Sequence, residues 1–177
     1  MDRSLLAKAY DRSAEGYDAR FRELQRVKFR AAAPLLEVPA AGAVCVDAGG
    51  GTGLLAEWLR DESPLLARAR WLVLDLSLGM LRVARGRTPL VAVADLAHLP
   101  LRPVDLICAF TSVLDRVPVA LAEMGRVLKP GGQLAVSFLS GEAPPGDAVA
   151  RAAGLRLLAG SVPAGQDRLF ILRKDEP

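Results

Sequence analysis

The amino-acid sequence predicts an α/β protein built on a doubly wound, mostly parallel sheet, preceded by an N-terminal helical cap. From residue 43 onwards, short apolar runs alternate with helix-like segments, which is typical of parallel strands that helices cover on both faces. The first apolar run ends in an acid and a glycine-rich turn, and ligands of doubly wound sheets bind at turns in this position. These two observations define the fold class that we expect.

Length and composition suit one globular domain. The chain has 177 residues, of which 51% are hydrophobic and only 5% aromatic, so we expect a core of Leu, Val and Ala. We predict a single domain over residues 1–177, with a helical cap at 1–36, a ligand-binding core at 43–138 and terminal strands at 154–173.

Charge and targeting signals favour a cytoplasmic protein. The N-terminus has no signal-peptide pattern, and no uncharged apolar run approaches the ~18 residues needed to span a bilayer. The net charge of +3 is too small to predict nucleic-acid binding by itself. One basic cluster falls on a predicted helix and is interpreted as a solvated face: Arg20, Arg22, Arg26, Lys28 and Arg30.

The predicted elements follow in a regular order. Residues 1–36 predict two helices, broken near Gly16 and Tyr17. Five core strands are predicted at residues 43–47, 71–75, 90–95, 105–110 and 133–138. Core helices are predicted at residues 54–60, 78–85 and 119–128. The tail predicts a hairpin, with strands at 155–158 and 168–173 around a turn at 163–165.

The turn at residues 47–53 places Gly49, Gly51 and Gly53 where a backbone without side chains approaches a ligand closely. No Gly-Lys-Ser or Gly-Lys-Thr follows, which excludes the phosphate loop of nucleoside triphosphatases, and Leu54 breaks the spacing of a dinucleotide-binding turn. Asp47 favours a cationic ligand group, because a carboxylate repels phosphate. A plain tight turn is the alternative interpretation.

Three strands end in an acid, which suggests a ligand with several hydroxyl and amine donors: Asp47, Asp75 and Asp95. Asp75 comes 22 residues after Gly53, where a carboxylate binds ribose hydroxyls in nucleotide-binding domains. Asp95 is suited to an exocyclic amine such as adenine N6. The alternatives are a helix cap for Asp75, where Ser77 is the better cap, and a solvated loop acid for Asp95.

These motifs resemble those of the class I S-adenosylmethionine-dependent methyltransferases, whose sheet is Rossmann-like. Residues 47–53 are similar to the first motif of that family, residues 75–81 to its ribose acid and following helix, and residues 94–101 to its adenine-side loop. Residues 121–132 resemble the junction before the fifth strand, and residues 10–18 the cap of members that act on quinones and other small molecules. The similarity spans residues 10 to about 138.

The resemblance implies S-adenosylmethionine as the cofactor, with Asp47 and Gly49 at its amino-acid end and Asp75 on its ribose. It places Gly51 and Gly53 in the turn against which the cofactor packs. Adenine would lie between Leu76 and Met80, with Asp95 and Leu96 at its edge. The remaining implied contacts are Phe110 and Thr111 at the methionine portion, and Tyr10 and Tyr17 closing the site from the cap.

The function that we expect is methyl transfer to an unidentified acceptor, with a small organic or lipid-like molecule slightly favoured over RNA or protein. The interval between the fifth strand and Gly154 is short, which implies an open site, a macromolecular acceptor or a partner subunit, and a homodimer is one such arrangement. The alternative is a catalytically silent S-adenosylmethionine-binding module within a larger complex. A nicotinamide oxidoreductase is a third hypothesis, and the glycine spacing weakens it.

No catalytic residue follows from the sequence, because alignment of acceptor and methyl group makes a general base dispensable. Candidate bases are Tyr17, Thr111 and Asp115, and His98 is interpreted as an exposed or packing residue. No metal site is predicted. Cys45 and Cys108 are expected as buried thiols on neighbouring strands, with a disulfide between them as a minor hypothesis.

Overall fold

A seven-stranded sheet forms the centre of the computed structural model, which describes residues 3–176. The strand order is β3-β2-β1-β4-β5-β7-β6, and every pairing from β3 to β5 is parallel. β7 runs antiparallel to both neighbours. The strands are β1 (Val44–Ala48), β2 (Arg70–Asp75), β3 (Val91–Val93), β4 (Val104–Phe110), β5 (Leu128–Leu139), β6 (Arg156–Ala164) and β7 (Asp167–Arg173).

Helices cover both faces of the sheet, as predicted. They are α1 (Arg3–Ala32), α2 (Leu54–Glu62), α3 (Leu78–Ala84), α4 (Val117–Val127) and α5 (Gly146–Ala153). One apolar cluster joins α1 and α2 to the sheet, with Phe29 and Trp58 at its centre. A second joins α4 and α5 to the opposite face, with Met124 and Val149 buried there. The doubly wound fold is therefore confirmed.

The N-terminal segment differs from the prediction, because α1 is one continuous helix of 30 residues with no break at Gly16 or Tyr17. Glycine in a helix costs only about 1 kcal/mol relative to alanine. Contacts along α1 offset that cost: Phe29 packs against Trp58 and Phe110, with ring centroids 5.8 Å and 5.4 Å away. Docking onto the sheet, and not local propensity, makes the helix continuous.

The basic cluster of α1 is not a solvated face, so that interpretation is wrong for its main part. Arg22 and Arg26 form ion pairs with Glu57 of α2. Arg30 donates to both carboxylate oxygens of Glu62, at 2.8 Å and 3.0 Å. Residues 22, 26 and 30 lie four apart on one helical face, so this stripe attaches α1 to α2.

The cysteines are buried and free, which rules out the minor disulfide hypothesis. Their strands are neighbours, but Cys45 pairs with Leu106 and Cys108 with Asp47, so the two thiols are out of register by two residues. Burial raises the pKa of the Cys45 thiol to about 12. Both thiols are therefore inert in the folded protein.

The C-terminal hairpin is confirmed and longer than predicted, since β6 and β7 together span residues 156–173 with a turn at Gly165 and Gln166. Most of the short interval before Gly154 is helix α5, which packs on α4 and covers the sheet. The Cα of Gly125 lies so close to α5 that a Cβ there would meet the Ala153 oxygen at 1.8 Å. Only residues 140–145 remain as loop.

Candidate functional site

An inner cavity lies at the carboxyl ends of β1, β2 and β4, where the strand order reverses between β1 and β4. Ligands of doubly wound sheets bind at this switch point. Ten of the residues predicted for the cofactor site line the cavity: Tyr10, Tyr17, Gly49, Gly51, Asp75, Leu76, Met80, Leu96, Phe110 and Thr111. Residues that the sequence did not indicate also line it, among them Leu6 and Ala7 from α1 and Ser112 and Leu114 after β4.

The glycine turn presents bare backbone to this cavity. Gly51 has a φ of +54°, and a Cβ there would have Met80 Sδ as its nearest neighbour, at 3.9 Å. The added atom would therefore project into the cavity and not into the protein. Gly49 is different, because a Cβ there would lie 2.3 Å from the Ser112 Cβ. At Gly51 the positive φ and the open ligand space, and not protein packing, therefore favour glycine.

Asp75 links the glycine turn to the start of α3. Its carboxylate accepts hydrogen bonds from the backbone N–H groups of Gly51, at 3.0 Å, and Ser77, at 2.8 Å. Burial raises the pKa of Asp75, and these backbone donors partly oppose the effect. Ser77 caps α3 by accepting from the Met80 N–H, so the capping role belongs to Ser77 and Asp75 lines the cavity.

A small side cavity next to the glycine turn contains two buried oxygens without a partner among residues 3–176. They are Asp47 Oδ2 and Gln25 Oε1, and both residues line this cavity together with Gly49 and Gly51. Burial, and secondly the charge of Asp75, raise the pKa of Asp47 to about 7. Two unfilled acceptors in one cavity fit a ligand group with several donors, such as an ammonium.

Gln25 lines the side cavity, and no sequence pattern identified it. It lies 22 positions before Asp47, on the helical cap, and its side-chain amide donates to the Tyr17 hydroxyl at 3.2 Å. Helical spacing marks it only as one polar residue among many on α1. Its position in the side cavity depends on how α1 docks onto the sheet.

Two predicted cofactor residues lie outside the linings of both cavities, and their cofactor roles stay predictions. Gly53 has a φ of +78°, and a Cβ there would meet the Ala84 Cβ at 3.2 Å, so glycine here serves helix packing. Asp95 forms an ion pair with Arg3, and its Oδ1 also accepts from the Ala97 N–H at 2.7 Å. The adenine-edge acid is therefore engaged by the protein itself.

Helix α1 is attached to the rim of the inner cavity by two acids. Asp11 accepts from the Ser77 hydroxyl at 2.6 Å and from the Gly79 N–H at 2.7 Å, at the start of α3. Asp18 accepts from the Thr52 hydroxyl at 2.6 Å and pairs with Arg87. The cap is thus hydrogen-bonded to the glycine turn at Thr52 and to the start of α3 at Ser77 and Gly79.

An outer groove of about 440 Å³ adjoins the inner cavity, and the two share Tyr10, Tyr17, Thr111 and Leu114. At its floor, buried Lys28 donates to Thr111 Oγ1 and lies 3.2 Å from Asp167 Oδ2. The Thr111 and Ser137 hydroxyls each donate to Asp167 Oδ2 at 2.6 Å. Sequence analysis identified Thr111 but neither Asp167 nor the role of Lys28.

The candidate bases occupy different surroundings. Burial raises the pKa of Tyr17, so its phenol stays protonated near neutral pH. Asp115 lies 3.8 Å from the Arg3 guanidinium. The side chain of His98 is 73% exposed and its Nδ1 lies 3.9 Å from Asp95, in keeping with an exposed residue. Within residues 3–176 no cluster of His, Cys, Asp and Glu could hold a metal ion.

Comparisons with known proteins agree with this geometry. A family profile described as a methyltransferase domain matches residues 46–136. The malonyl-[acyl-carrier protein] O-methyltransferase of Geobacter sulfurreducens is 39% identical over 150 residues, covering 78% of this chain and 54% of that protein. The protein of the same name from Dechloromonas aromatica is 36% identical over 138 residues, covering 76% of this chain and 50% of that protein.

Solved structures share the fold at low identity. Magnesium protoporphyrin IX methyltransferase from Synechocystis PCC 6803, solved with bound S-adenosylmethionine, has a TM-score of 0.74 at 16% identity, over 99% of this chain and 98% of that one. A TehB-like methyltransferase from Corynebacterium glutamicum has a TM-score of 0.69 at 21% identity, over 92% of this chain and 98% of that one.

A glycine turn, buried Asp47 and half-buried Asp75 at the switch point of a doubly wound sheet fit a ligand with a nucleoside and a cationic group. The chain belongs to the methyltransferase-domain family of class I S-adenosylmethionine-dependent methyltransferases. The chain spans about half the length of the curated relatives that it matches.

Among the described residues, no helix is both long and apolar enough to cross a membrane.

The residues present fit the cofactor of this family. Asp75 would hold its ribose hydroxyls, and the unpartnered oxygens of Asp47 and Gln25 would accept from its ammonium group. Leu76 and Met80 offer apolar surface to its adenine. When bound, S-adenosylmethionine supplies a methyl group on a sulfonium, which is already a good leaving group. The protein therefore has to bind, align and exclude water.

Proposed function

We propose that this chain transfers the methyl group of S-adenosylmethionine to a carboxylate oxygen on a short acyl chain. The observation that supports this acceptor most directly is the outer groove, which adjoins the inner cavity at Thr111 and has Lys28 at its floor. The name of the relatives from Geobacter sulfurreducens and Dechloromonas aromatica, malonyl-[acyl-carrier protein] O-methyltransferase, also supports an acidic acyl group.

The chemistry of this reaction suits a site without an evident general base. A carboxylate oxygen is ionised near neutral pH and attacks the methyl carbon directly. The carbon–oxygen bond forms as the carbon–sulfur bond breaks, and the products are a methyl ester and a neutral thioether, with no proton transferred. Alignment of the two reactants supplies most of the rate enhancement, roughly 7–11 kcal/mol in favourable intramolecular cases.

The ion pairs of α1 favour this acceptor class over nucleic acid. Arg22, Arg26 and Arg30 are committed to Glu57 and Glu62, so they leave no continuous basic stripe on that face. Phosphate-backbone binding depends on such uncommitted clusters of arginine and lysine. A small organic or lipid-like acceptor is therefore our proposal, as the sequence already favoured. The cytoplasmic location and a homodimer remain predictions.

The test is an acceptor comparison with the purified chain. S-adenosylmethionine is incubated with the malonyl thioester of N-acetylcysteamine or with its butyryl thioester, which lacks the carboxylate, and mass spectrometry follows methyl ester and S-adenosylhomocysteine. We expect ester from the malonyl thioester alone, and none with Gly51→Val. Cofactor binding without turnover on any acid acceptor would contradict the proposal and support the silent binding module.

A further inference from the structure

We propose that Lys28 of α1 binds the acceptor's carboxylate in the outer groove, next to the methyl-transfer position, and that Arg20, two helical turns away at the mouth, attracts the same anion into the groove. The inference rests on the proposed function, because it names the residues that would hold that acceptor. It also accounts for the two members of the α1 basic cluster that do not attach α1 to α2.

The basic cluster of α1 divides into two stripes. Residues 22, 26 and 30 face the acids of α2, whereas residues 20, 24 and 28 lie four apart on another face and all three line the outer groove. The Arg20 guanidinium lies over the Phe21 ring, 5.4 Å from its centroid, and makes no ion pair with any residue in the range 3–176. It is therefore free to meet an anion.

Lys28 differs from a solvent-facing lysine because it is buried and its ammonium group contacts Thr111 and Asp167. Its side chain is 8% exposed, and burial lowers its pKa, while the carboxylate of Asp167 opposes that shift and favours the charged form. An ammonium has three hydrogens, and Thr111 Oγ1 and Asp167 Oδ2 account for two of them. The third remains for a ligand in the groove.

The partner of Lys28 is also incompletely satisfied. Asp167 is 1% exposed, and its Oδ1 has no partner in the described part of the chain, although Oδ2 accepts from two hydroxyls. Buried polar atoms are rarely left unpaired, and an ionised carboxylate has no hydrogen to donate, so we expect this oxygen to accept from a buried water beside the bound acceptor. One open donor and one open acceptor thus lie side by side at the floor of the groove.

Thr111 places this floor beside the methyl-transfer position. It lines both the inner cavity and the outer groove, and its φ of +52° is unusual for a β-branched residue. Hydrogen bonds from its N–H to the Ser137 carbonyl, at 3.1 Å, and from its hydroxyl to Asp167 hold it there. Such strained residues concentrate at functional sites. A carboxylate bound to Lys28 would therefore lie at the border with the cofactor cavity.

The chemistry of the groove matches a short acyl chain that ends in an anion. The charged residues that line it are Arg20, Lys28 and Asp167, which leaves an excess of one positive charge. Its rim is apolar and partly exposed, with Leu24, Leu114 and Leu139 at 39%, 41% and 39%. The rim suits methylene and thioester groups, while the basic residues favour an anion over a neutral acyl chain.

The test uses the malonyl thioester of N-acetylcysteamine as the probe and three variants. Arg20→Gln removes the charge at the mouth. Lys28→Gln combined with Asp167→Asn removes the floor charges together, so that no buried carboxylate loses its partner. Arg12→Gln, an exposed arginine of α1 that lines neither cavity, is the matched control. The affinity for S-adenosylhomocysteine, measured by calorimetry, reports on folding and on the cofactor cavity.

We expect the acceptor KM to rise about threefold to fivefold in Arg20→Gln, as for an exposed charge pair. In the double variant we expect a rise of about tenfold or more, as for a hydrogen bond to a charged group. Cofactor affinity should stay within about twofold, and Arg12→Gln should match the wild type. An unchanged acceptor KM in both groove variants would overturn the binding site while leaving the proposed function intact.

Absence of methyl ester from the wild type would instead contradict the proposed function. Saturation-transfer NMR in the presence of S-adenosylhomocysteine then still tests the binding site. A signal for the malonyl thioester that the butyryl thioester does not give, and that both groove variants lose, supports the site. Equal signals for the two thioesters overturn it.

Discussion

We predict that the ionised carboxylate of Asp47 lowers the stability of the cofactor-free chain and strengthens cofactor binding. The residue is 5% exposed, and burial raises its pKa from 3.8 to about 7. Between these two values the folded state binds more protons than the unfolded state, so stability falls as the pH rises from about 4 to about 7 and is constant above that. The cofactor-free protein therefore keeps an unfavourable carboxylate at pH 8.

Asp47→Asn removes this ionisation and keeps the size of the side chain. The interval from 3.8 to about 7 corresponds to at most about 4 kcal/mol at roughly 1.4 kcal/mol per pH unit. We expect urea unfolding without cofactor to show the variant about 2–4 kcal/mol more stable than the wild type at pH 8. The difference should shrink as the pH falls below about 7 and become small near pH 4, because the wild-type carboxyl is then neutral in the folded state and increasingly neutral in the unfolded state.

The same substitution should weaken binding of S-adenosylhomocysteine by about tenfold or more at pH 8, since a neutral amide replaces a charged acceptor for the ammonium group. Calorimetry at pH 8 measures this loss. Asp61→Asn, at an exposed position of α2, is the matched control and should change neither quantity. An identical pH dependence of stability in the Asn variant and the wild type would refute the argument, as would unchanged affinity.

Three further predictions concern the cofactor cavity. Asp75→Ala should weaken S-adenosylhomocysteine binding by about 1.5–3 kcal/mol, because the ribose loses a charged acceptor, and equal affinity by calorimetry would disprove the ribose assignment. Gly51→Val should abolish binding while circular dichroism still shows a folded domain, since its side chain would project into the cavity; normal binding would contradict the close approach. Gln25→Leu should weaken binding about threefold to tenfold, and an unaltered affinity would remove Gln25 from the site.

Local patterns predicted most of the fold and most of the residues that line the candidate site. Strand and helix periodicity predicted the parallel core, because burial on both faces requires almost continuous apolar strands. The carboxyl ends of parallel strands meet at one edge, so Asp47 and Asp75 could be assigned to one site before any tertiary contact was known. The glycine turn could be assigned to the same site, because it directly follows the first of these strands and its lack of side chains can be seen in the sequence.

The predictions that were wrong concern contacts between distant segments. The break at Gly16 was expected from propensity, but the bonds of Asp11 to α3 and of Asp18 to Thr52 hold α1 together along its length. The disulfide hypothesis required adjacent thiols, and the register of β1 against β4 offsets them. Register and docking depend on packing over the whole sheet, and no short pattern encodes them.

The sequence by itself determined the class of sheet, the glycine turn and the acids at its edge, because each depends on residues close together in the chain. Only the tertiary structure placed Gln25 beside Asp47 and joined Lys28 to Thr111 and Asp167, which lie 83 and 139 positions further along the chain. The physical reason is desolvation: a lysine and a carboxylate that are removed from water are stable only when they are paired and hydrogen-bonded, and only the folded chain brings these partners together.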